Sequence, residues 1–337
     1  MAKSKITVLG DGGWGTALAL LSYRTGHYTT LWGAFSDYIR KLQETRENTR
    51  FLKGVRLPED LALSDNLRES ISSGDIIIIA VPSLYLRNVL WKVKDIDLRG
   101  KLLVSVAKGL ERKTLLRPSQ IIESVLGQVN LVILSGPSHA EEVARELPSA
   151  VVAASRNDKL AQRVQEELSD KNFRIYTVTD IVGVELGGAL KNVIALAAGI
   201  CDGLKYGSNA KSALIARGLL EMTRLGVKMG ANPNTFFGLS GLGDLVTTCI
   251  SDYGRNRLVG MRLGQGEKLE EILGKMEMVA EGVETTRSVI DLARRYEVKM
   301  PIAEEIYKVL FEDKNARQAV EDLMLRDVKE EMRMSAY

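Results

Sequence analysis

Runs in which every residue is apolar recur through the first half of the chain. DIIIIAVPS at 75–83 is the clearest, and NLVILSG at 130–136 and SAVVAAS at 149–155 repeat the pattern. A strand that is apolar at every position is buried on both faces, as in a parallel sheet covered by helices. Helical stretches alternate with these runs, which predicts a doubly wound α/β domain. Further strands are predicted over 5–10, 27–33, 100–109 and 173–178.

The second half of the chain has a different pattern, because strand-like runs stop near residue 180. A chain of 337 residues is long enough for two domains that each bury a core. We therefore predict an α/β domain over 1–180 and an all-α domain over 181–337. The helices of the second domain are predicted over 181–205, 210–230, 256–265, 281–296, 302–311 and 315–325.

The overall composition argues against several classes of protein. The 46 basic and 43 acidic residues leave a net charge of +3, which is too small to indicate nucleic-acid or membrane-surface binding. No apolar run reaches the ~18–20 residues that span a bilayer, and the first apolar stretch is too short for a signal peptide. Cys201 and Cys249 form no metal-ligand spacing, so we expect reduced thiols, a cytoplasmic protein and no metal site.

A glycine-rich loop follows the first predicted strand directly and opens a helix, in ITVLGDGGWGTALAL. In that context Gly10 permits a tight turn, Gly12 lets the backbone approach a pyrophosphate, and Gly15 lets helix and strand pack closely. The spacing therefore predicts a dinucleotide site. A simple turn is the alternative, because glycine loops are common.

The end of the second strand usually decides between the two nicotinamide dinucleotides. An acidic residue there binds the ribose diol of NAD, whereas an arginine favours the 2′-phosphate of NADP. Here the strand ends in LWGAFSDY, and positions 33–36 hold neither residue type. Asp37 and Arg40 come slightly later, so these residues leave the choice between NAD and NADP open.

Only two histidines are available for acid–base chemistry. His27 lies in RTGHYT, a helix-to-strand turn, and is predicted to be a solvated loop residue. His139 lies in SGPSHAEEV, where a strand ends and a helix begins. A catalytic role and a capping or supporting role both fit that position.

A lysine interrupts an otherwise apolar helix in GALKNVIALAAG at 188–199. Glu185 and Asn192 are the only other polar side chains between residues 183 and 201. A helix that is apolar all round is surrounded by protein. Burial of Lys191 would favour its neutral form and lower its pKa, which suits a general base. The alternative is that its stem is buried while the ammonium reaches the surface.

Two further segments place polar groups at the carboxyl ends of predicted strands, where ligands gather in open α/β sheets. VSVAKGLE puts Lys108 just past one strand, and LSGPSHAEEV puts Gly136 and Ser138 just past the next. Ser138 is predicted to cap the following helix, and the N–H groups there are suited to an anion. An ordinary surface lysine is the alternative for Lys108.

Charged residues of the helical half also fall in glycine-containing segments. GLSGLGDLVTTC at 238–249 surrounds Asp244, which can orient a lysine or accept a hydroxyl hydrogen bond. DYGRNRLVG at 252–260 puts Arg255 and Asn256 at a predicted helix start, where an arginine beside helix N–H groups suits a dianion. The alternatives are a loop cap for Asp244 and a surface charge for Arg255.

Taken together, these motifs resemble those of one family, the bacterial-type NAD(P)-dependent glycerol-3-phosphate dehydrogenases. The matching stretches follow the family order from about 6 to 311, which is far more specific than the glycine loop alone. They are LGDGGWGTALA, IIIIAVPS, AKGLE, LSGPSHAEEVA, LKNVIALAAGI, GLSGLGDLVTTC, GRNRLVG and VAEGVETTRSV. The resemblance implies a Rossmann-like dinucleotide-binding domain, an α-helical substrate and catalytic domain, and a homodimer.

The resemblance also implies roles for individual residues. Lys191 would exchange the proton of the substrate's 2-hydroxyl, Lys108 would contact cofactor and substrate, and Asp244 would be a substrate-site carboxylate. The other implied substrate contacts are Gly136, Ser138, Gly254, Arg255 and Asn256. The implied cofactor contacts are Gly10, Gly12, Gly13, Trp14, Gly15, Lys108, Ala140, Arg255, Val279 and Glu281.

Three positions depart from the family pattern. Gly13 stands where the family has a small polar residue, and Gly254 stands where it has a serine, so only the Gly254 backbone can contribute. Ala34 replaces an arginine that commonly follows LWG in the family. Because that change removes a partner for a 2′-phosphate, it favours NAD over NADP without deciding between them.

The implied activity is NAD(P)-dependent interconversion of sn-glycerol 3-phosphate, a small phosphate ester, and dihydroxyacetone phosphate. The implied use is supply of glycerol 3-phosphate for phospholipid synthesis. A related two-domain dehydrogenase acting on a hydroxy acid or sugar acid is the first alternative, and it needs no phosphate seat at Arg255. A non-catalytic dinucleotide-binding sensor is the second, and it does not require Lys108, Lys191 and Asp244 together.

Overall fold

Strands and helices alternate in the first half of the chain, and helices alone follow in the second. The structure is a computed structural model and describes residues 3–276, 279–328 and 331. Within these residues the last strand ends at Val178, and every later regular element is helical. This confirms the predicted fold class, a Rossmann-like doubly wound domain followed by an all-α domain.

The chain divides into two compact units, each with its own hydrophobic core. The first unit holds the residues up to Lys108 together with Leu116–Ile181. The second holds Gly109–Leu115 and the residues from Val182 onward. The short segment Gly109–Leu115 groups with the helical unit because its Leu110 and Leu115 are part of that unit's core.

The first unit is built around one eight-stranded sheet in the order β3-β2-β1-β4-β5-β6-β7-β8. Its first six strands follow the 3-2-1-4-5-6 order of dinucleotide-binding folds. All four residues of β4 are buried, as its apolar run predicted. The strands are β1 (Lys5–Leu9), β2 (Tyr28–Trp32), β3 (Ala62–Ser64), β4 (Ile76–Ile79), β5 (Leu102–Ser105), β6 (Asn130–Ser135), β7 (Ser149–Ala154) and β8 (Phe173–Val178).

Helices connect these strands and complete the doubly wound arrangement. They are α1 (Gly13–Arg24), α2 (Ser36–Thr45), α3 (Leu67–Ser73), α4 (Ser83–Trp91), α5 (Pro118–Leu126), α6 (Ala140–Ala144) and α7 (Asp158–Leu168). The pattern did not predict β3, because its three residues contain no apolar run. Its pairing with β2 stabilises it at the edge of the sheet.

One strand pair departs from the parallel arrangement, because β6 and β7 pair antiparallel. The helix between them, α6, has only five residues. At 1.5 Å per residue such a helix rises about 7–8 Å, whereas a six-residue strand spans about 20 Å. The connection therefore does not carry the chain back along the sheet, and β7 starts at the end where β6 stops.

The prediction for His27 was wrong, because the residue is only 8% exposed. Its Nδ1 accepts a hydrogen bond from the Ser4 N–H at 3.3 Å, and its Nε2 lies 2.8 Å from the Glu167 carbonyl oxygen. The Glu167 carboxylate lies 3.4 Å from the same Nε2. His27 thus connects the start of β1 to the end of α7, two segments that are distant in sequence.

The second unit is formed by helices packed around α8. By length and composition α8 would suit a membrane, but 94% of its most apolar window is buried within the protein, the setting of a core helix. The helices are α8 (Ile181–Gly203), α9 (Ser208–Lys228), a 3₁₀ turn (Pro233–Phe237), a π-helical turn (Leu239–Gly243), α10 (Asp244–Ile250), α11 (Arg255–Gly264), α12 (Leu269–Gly274), α13 (Glu281–Arg295), α14 (Pro301–Phe311) and α15 (Ala316–Met324).

The two cysteines are free and buried, in α8 and α10, as the sequence predicted. Burial raises the pKa of Cys201, and it raises the pKa of Cys249 to about 12. A thiol with a raised pKa stays protonated at neutral pH and is a poor nucleophile. Cys249 is therefore a packing residue. The residue before it, Thr248, is polar.

Glu221 of α9 is a buried carboxyl group at the start of α14. It accepts hydrogen bonds from the Ile302 N–H at 2.9 Å and the Ala303 N–H at 3.4 Å. Burial raises its pKa to about 7, since the two hydrogen bonds and the Arg224 charge only partly oppose that effect and Glu304 adds to it.

This carboxyl group should make the stability of the second unit depend on pH. Its folded-state pKa is above the unfolded value, so its contribution is present at low pH and is lost as the pH rises through about 7. Between about pH 5 and pH 8 the free energy of unfolding should fall by about 1–3 kcal/mol relative to Glu221→Gln. Urea unfolding of both proteins across that range measures the effect, and a difference independent of pH would contradict it.

Candidate active site

The glycine loop between β1 and α1 has the shape that its spacing predicted. Gly10 has φ +120°, and a Cβ there would lie 2.7 Å from the Ala80 carbonyl oxygen. A Cβ on Gly15 would lie 1.8 Å from the Gly10 carbonyl oxygen, so α1 packs directly against the loop. A Cβ on Gly12 would meet nothing within 4 Å. The loop is therefore crowded on the protein side and open at Gly12.

The start of α1 fits the pyrophosphate of a dinucleotide. Gly12 is the N-cap residue and has no side chain, so no side chain caps the first N–H groups of the helix. The 12-residue helix directs the positive end of its dipole to this point. The main-chain N–H groups of Gly13, Trp14 and Gly15 are the donors that would hold an anion there.

A buried asparagine that sequence reasoning missed holds the loop in place. Asn48 Nδ2 donates to the Asp11 carbonyl oxygen at 2.8 Å and to Thr16 Oγ1 at 2.7 Å. Its Oδ1 accepts from the Phe51 N–H at 3.1 Å. The Phe51 carbonyl oxygen would lie 2.6 Å from a Cβ on Gly13, which explains why glycine stands there. Asn48 is 37 positions from Asp11, so no local motif indicates it.

Lys108 and Ser138 converge on one carbonyl group beyond the ends of β5 and β6. Lys108 Nζ and Ser138 Oγ each donate to the Gly136 carbonyl oxygen at 3.0 Å. Gly136 has φ +143°, and a Cβ there would lie 2.9 Å from the Cα of Val151. The predicted cap at Ser138 was wrong, because the N-cap residue of α6 is His139.

Ala140, the first residue of α6, lies beside the glycine loop. Its Cβ would be 3.5 Å from a Cβ on Gly13. The helices α1 and α6 also pack against each other. The first unit therefore brings Ala140 next to the loop, and it brings Lys108, Gly136 and Ser138 together.

In the second unit Lys191 is buried and paired. Lys191 is 6% exposed, and Asp244 is 2% exposed. Nζ donates to Asp244 Oδ1 at 2.6 Å and to Thr248 Oγ1 at 2.8 Å. The alternative of an ammonium that reaches the surface is therefore wrong. The carboxylate favours the charged form of the lysine, which opposes the effect of burial.

Thr248 is the member of this cluster that the sequence analysis missed. Its hydroxyl accepts from Lys191 and donates to the Asp244 carbonyl oxygen at 2.6 Å. Asp244 and Thr248 are four residues apart at one face of α10, which is the spacing of side chains that act together on a helix. That spacing was visible in DLVTT and would have indicated the residue.

The starts of α11 and α13 lie next to this cluster. Asn256 Oδ1 accepts from the Gly282 N–H at 3.0 Å. A Cβ on Gly282 would lie 2.8 Å from the carbonyl oxygen of Asn192, the residue after Lys191. A Cβ on Gly254 would lie 3.0 Å from the Thr248 carbonyl oxygen. The starts of α11 and α13 thus pack against the backbone of Thr248 and Asn192, and helix N-termini attract anions.

Arg255 begins α11 and is exposed. Its Nη1 donates to the Val279 carbonyl oxygen at 3.0 Å, so the side chain crosses to the segment that leads into α13. Glu281 is the first residue of α13. The second unit therefore brings Arg255, Val279 and Glu281 into one region.

Comparison with known proteins identifies the family. Residues 5–161 match the profile of the NAD-dependent glycerol-3-phosphate dehydrogenase N-terminus, and residues 180–321 match that of its C-terminus. A protein of Geobacter sp. (strain M21) named glycerol-3-phosphate dehydrogenase (NAD(P)+) is 50% identical over 330 residues, which are 97% of this chain and 98% of that protein. The chain belongs to this family.

Other relatives agree with this assignment and confirm the resemblance seen in the motifs. A protein of the same name from Fusobacterium nucleatum is 47% identical over 330 residues, covering 97% of this chain and 98% of its own. The crystal structure of glycerol-3-phosphate dehydrogenase from Coxiella burnetii superposes with a TM-score of 0.93 at 40% identity. That comparison covers 96% of this chain and 99% of the other, so both units of the family fold are present.

Removing the carboxylate of the buried pair should destabilise the second unit. Asp244→Ala leaves the Lys191 ammonium buried without its counter-charge, and we expect a loss of about 3–5 kcal/mol in the free energy of unfolding. The control is Lys191→Met with Asp244→Leu, which removes both charges and should recover most of the loss. Urea unfolding measures all three proteins. A stable Asp244→Ala protein, or a double variant as unstable as the single one, would contradict this account.

Proposed function

We propose that this protein interconverts sn-glycerol 3-phosphate and dihydroxyacetone phosphate, with NAD or NADP as the hydride carrier. Family membership supports the proposal. The observation that carries it is the buried Lys191–Asp244–Thr248 cluster beside the starts of α11 and α13. That arrangement offers a proton donor and acceptor next to a seat for an anion.

The phosphate ester is proposed to bind at the start of α11. Arg255 supplies a guanidinium, and the first N–H groups of α11 supply uncharged donors at the positive end of a helix. The bond from the Gly282 N–H to Asn256 Oδ1 fixes the orientation of the Asn256 amide. Its Nδ2 group is then the end that can donate to a phosphate oxygen.

Lys191 is proposed to move the proton at carbon two of the substrate. In the reductive direction its ammonium donates a proton to the carbonyl oxygen, which becomes the 2-hydroxyl group. In the oxidative direction the neutral amine accepts that proton. The bound dinucleotide supplies the hydride chemistry. Donors aimed at a developing alkoxide are each worth roughly 3–4 kcal/mol in other enzymes.

Asp244 and Thr248 are proposed to position the lysine rather than to react. Both accept hydrogen bonds from Nζ, so they hold the ammonium group in one place. Because Asp244 favours the charged lysine, the pair suits the reductive direction, in which Lys191 acts as an acid.

The other assignments extend this proposal. Lys108 is proposed to contact both cofactor and substrate, and residues 1–180 and 181–337 are proposed as the dinucleotide-binding and substrate domains. The further proposed substrate contacts are Gly136, Ser138 and Gly254. The proposed cofactor contacts are Gly10, Gly12, Gly13, Trp14, Gly15, Ala140, Arg255, Val279 and Glu281. We also propose a cytoplasmic homodimer that supplies glycerol 3-phosphate for phospholipid synthesis.

A spectrophotometric assay at the nicotinamide absorbance band tests the proposed function. Dihydroxyacetone phosphate should be reduced with at least one of NADH and NADPH, whereas dihydroxyacetone, which lacks the phosphate, should not. Turnover of hydroxy-acid substrates alone would support the related dehydrogenase instead. Cofactor binding with no turnover of any of these compounds would support the non-catalytic sensor.

Lys191→Ala should retain dinucleotide binding and lose most turnover. Loss of a positioned acid–base group costs roughly 10²–10⁴-fold in rate, so kcat should fall within that range while the Kd for the dinucleotide stays unchanged. Lys228→Ala, at an exposed lysine of α9, is the control and should behave as the wild type. Near-normal kcat in Lys191→Ala would remove the lysine from the mechanism.

A further inference from the structure

Asp11 is an acidic residue inside the glycine loop whose carboxylate lies at the end of β2. A Cβ built on Gly33, the residue after β2, would lie 2.5 Å from Asp11 Oδ2 and 2.7 Å from its Cγ. The loop reaches β2 directly, because the Gly10 N–H donates to the Trp32 carbonyl oxygen at 2.9 Å. The carboxylate of a residue that follows β1 therefore occupies the place where a side chain on Gly33 would begin.

That place has a known chemical meaning in dinucleotide-binding folds. An acidic residue at the end of the second strand accepts hydrogen bonds from the adenosine ribose hydroxyls, and an arginine nearby binds a 2′-phosphate. Gly33 and Ala34 carry no polar side chain. Asp37 and Arg40 of α2 form an exposed ion pair with each other, so their charges offset locally.

The Asp11 carboxylate has a buried oxygen without a protein partner. Oδ2 is inaccessible to solvent and makes no hydrogen bond within the described residues, and Ile39 Cδ1 lies at the same side of Gly33. Burial raises the pKa of Asp11, while its own main-chain N–H and the charge of Arg50 oppose that rise. Asp11 as a whole is partly exposed, so its negative charge acts on a group that binds at the end of β2.

We propose that Asp11 replaces the missing acidic residue of β2 and makes this protein select NAD over NADP. This inference deepens the proposed function, since it names the cofactor class of the same site. The ribose diol of NAD carries no charge, so this carboxylate does not repel it. The same carboxylate repels the 2′-phosphate of NADP, because two negative groups would share one small, partly desolvated region.

Equilibrium binding tests this inference without any turnover. Fluorescence titration of the wild-type protein should give a Kd for NADH about tenfold or more below that for NADPH, the factor that corresponds to about 1.4 kcal/mol. Two probes that lack nicotinamide should show the same preference: ADP should bind more tightly than adenosine 2′,5′-bisphosphate, which carries the 2′-phosphate. The proposal would be overturned if the wild-type protein bound NADPH as tightly as NADH, or the bisphosphate as tightly as ADP. This outcome does not require any variant to be purified.

Asp11→Asn keeps the shape of the side chain and removes its charge. We expect it to shift the Kd ratio of the two cofactors by about tenfold toward NADPH, with Asp11→Ala giving a shift of the same sign. Glu44→Gln removes one exposed charge from α2 and is the matched control, which should leave the ratio unchanged. An unchanged ratio in a folded Asp11→Asn protein would overturn the proposal. Failure to reduce dihydroxyacetone phosphate would instead count against the proposed function, because the binding ratio does not depend on the substrate.

Discussion

The ion pair between Lys191 and Asp244 is the interaction on which the proposed chemistry of the second unit depends. Both groups are buried, and their nitrogen and oxygen atoms are 2.6 Å apart. Desolvation of two charges costs free energy that attraction repays only when the geometry is good and further hydrogen bonds are present. Thr248 supplies such a bond. The pair is therefore weak as a source of stability and strong as a means of holding an ammonium group in one place.

Close packing around α8 makes this geometry possible. A Cβ on Gly187, one turn before Lys191, would lie 2.4 Å from the Ser240 carbonyl oxygen. The π-helical turn that precedes Asp244 can lie against α8 only because glycine stands there. On α11, a Cβ at Gly260 would lie 2.0 Å from the Leu196 carbonyl oxygen. Glycines thus bring the backbones of the π-helical turn and of α11 close to the helix that holds Lys191.

Much of this arrangement could be predicted from local patterns. Short-range sequence patterns indicate the buried strands such as β4, the glycine loop and the apolar helix around Lys191. Each of these elements was found where it was predicted. Two shortcomings of the sequence patterns came from contacts between distant residues. His27 reads as a turn residue, yet Ser4 and Glu167 enclose it. Asn48 has no local signal, because its function is to hold a loop far from it in sequence.

Local patterns in the chain predict the succession of most elements, the two-part organisation and the residue types available for chemistry, since hydrophobic periodicity and glycine spacing are local properties. Only the packing of the chain shows that Lys191 is paired with Asp244 rather than exposed, and that the Asp11 carboxylate lies at the end of β2. The physical reason is that charge and hydrogen bonding act through space over a few ångströms. The packing of helices and strands decides which distant groups come within that range. A linear sequence pattern contains no information about those distances.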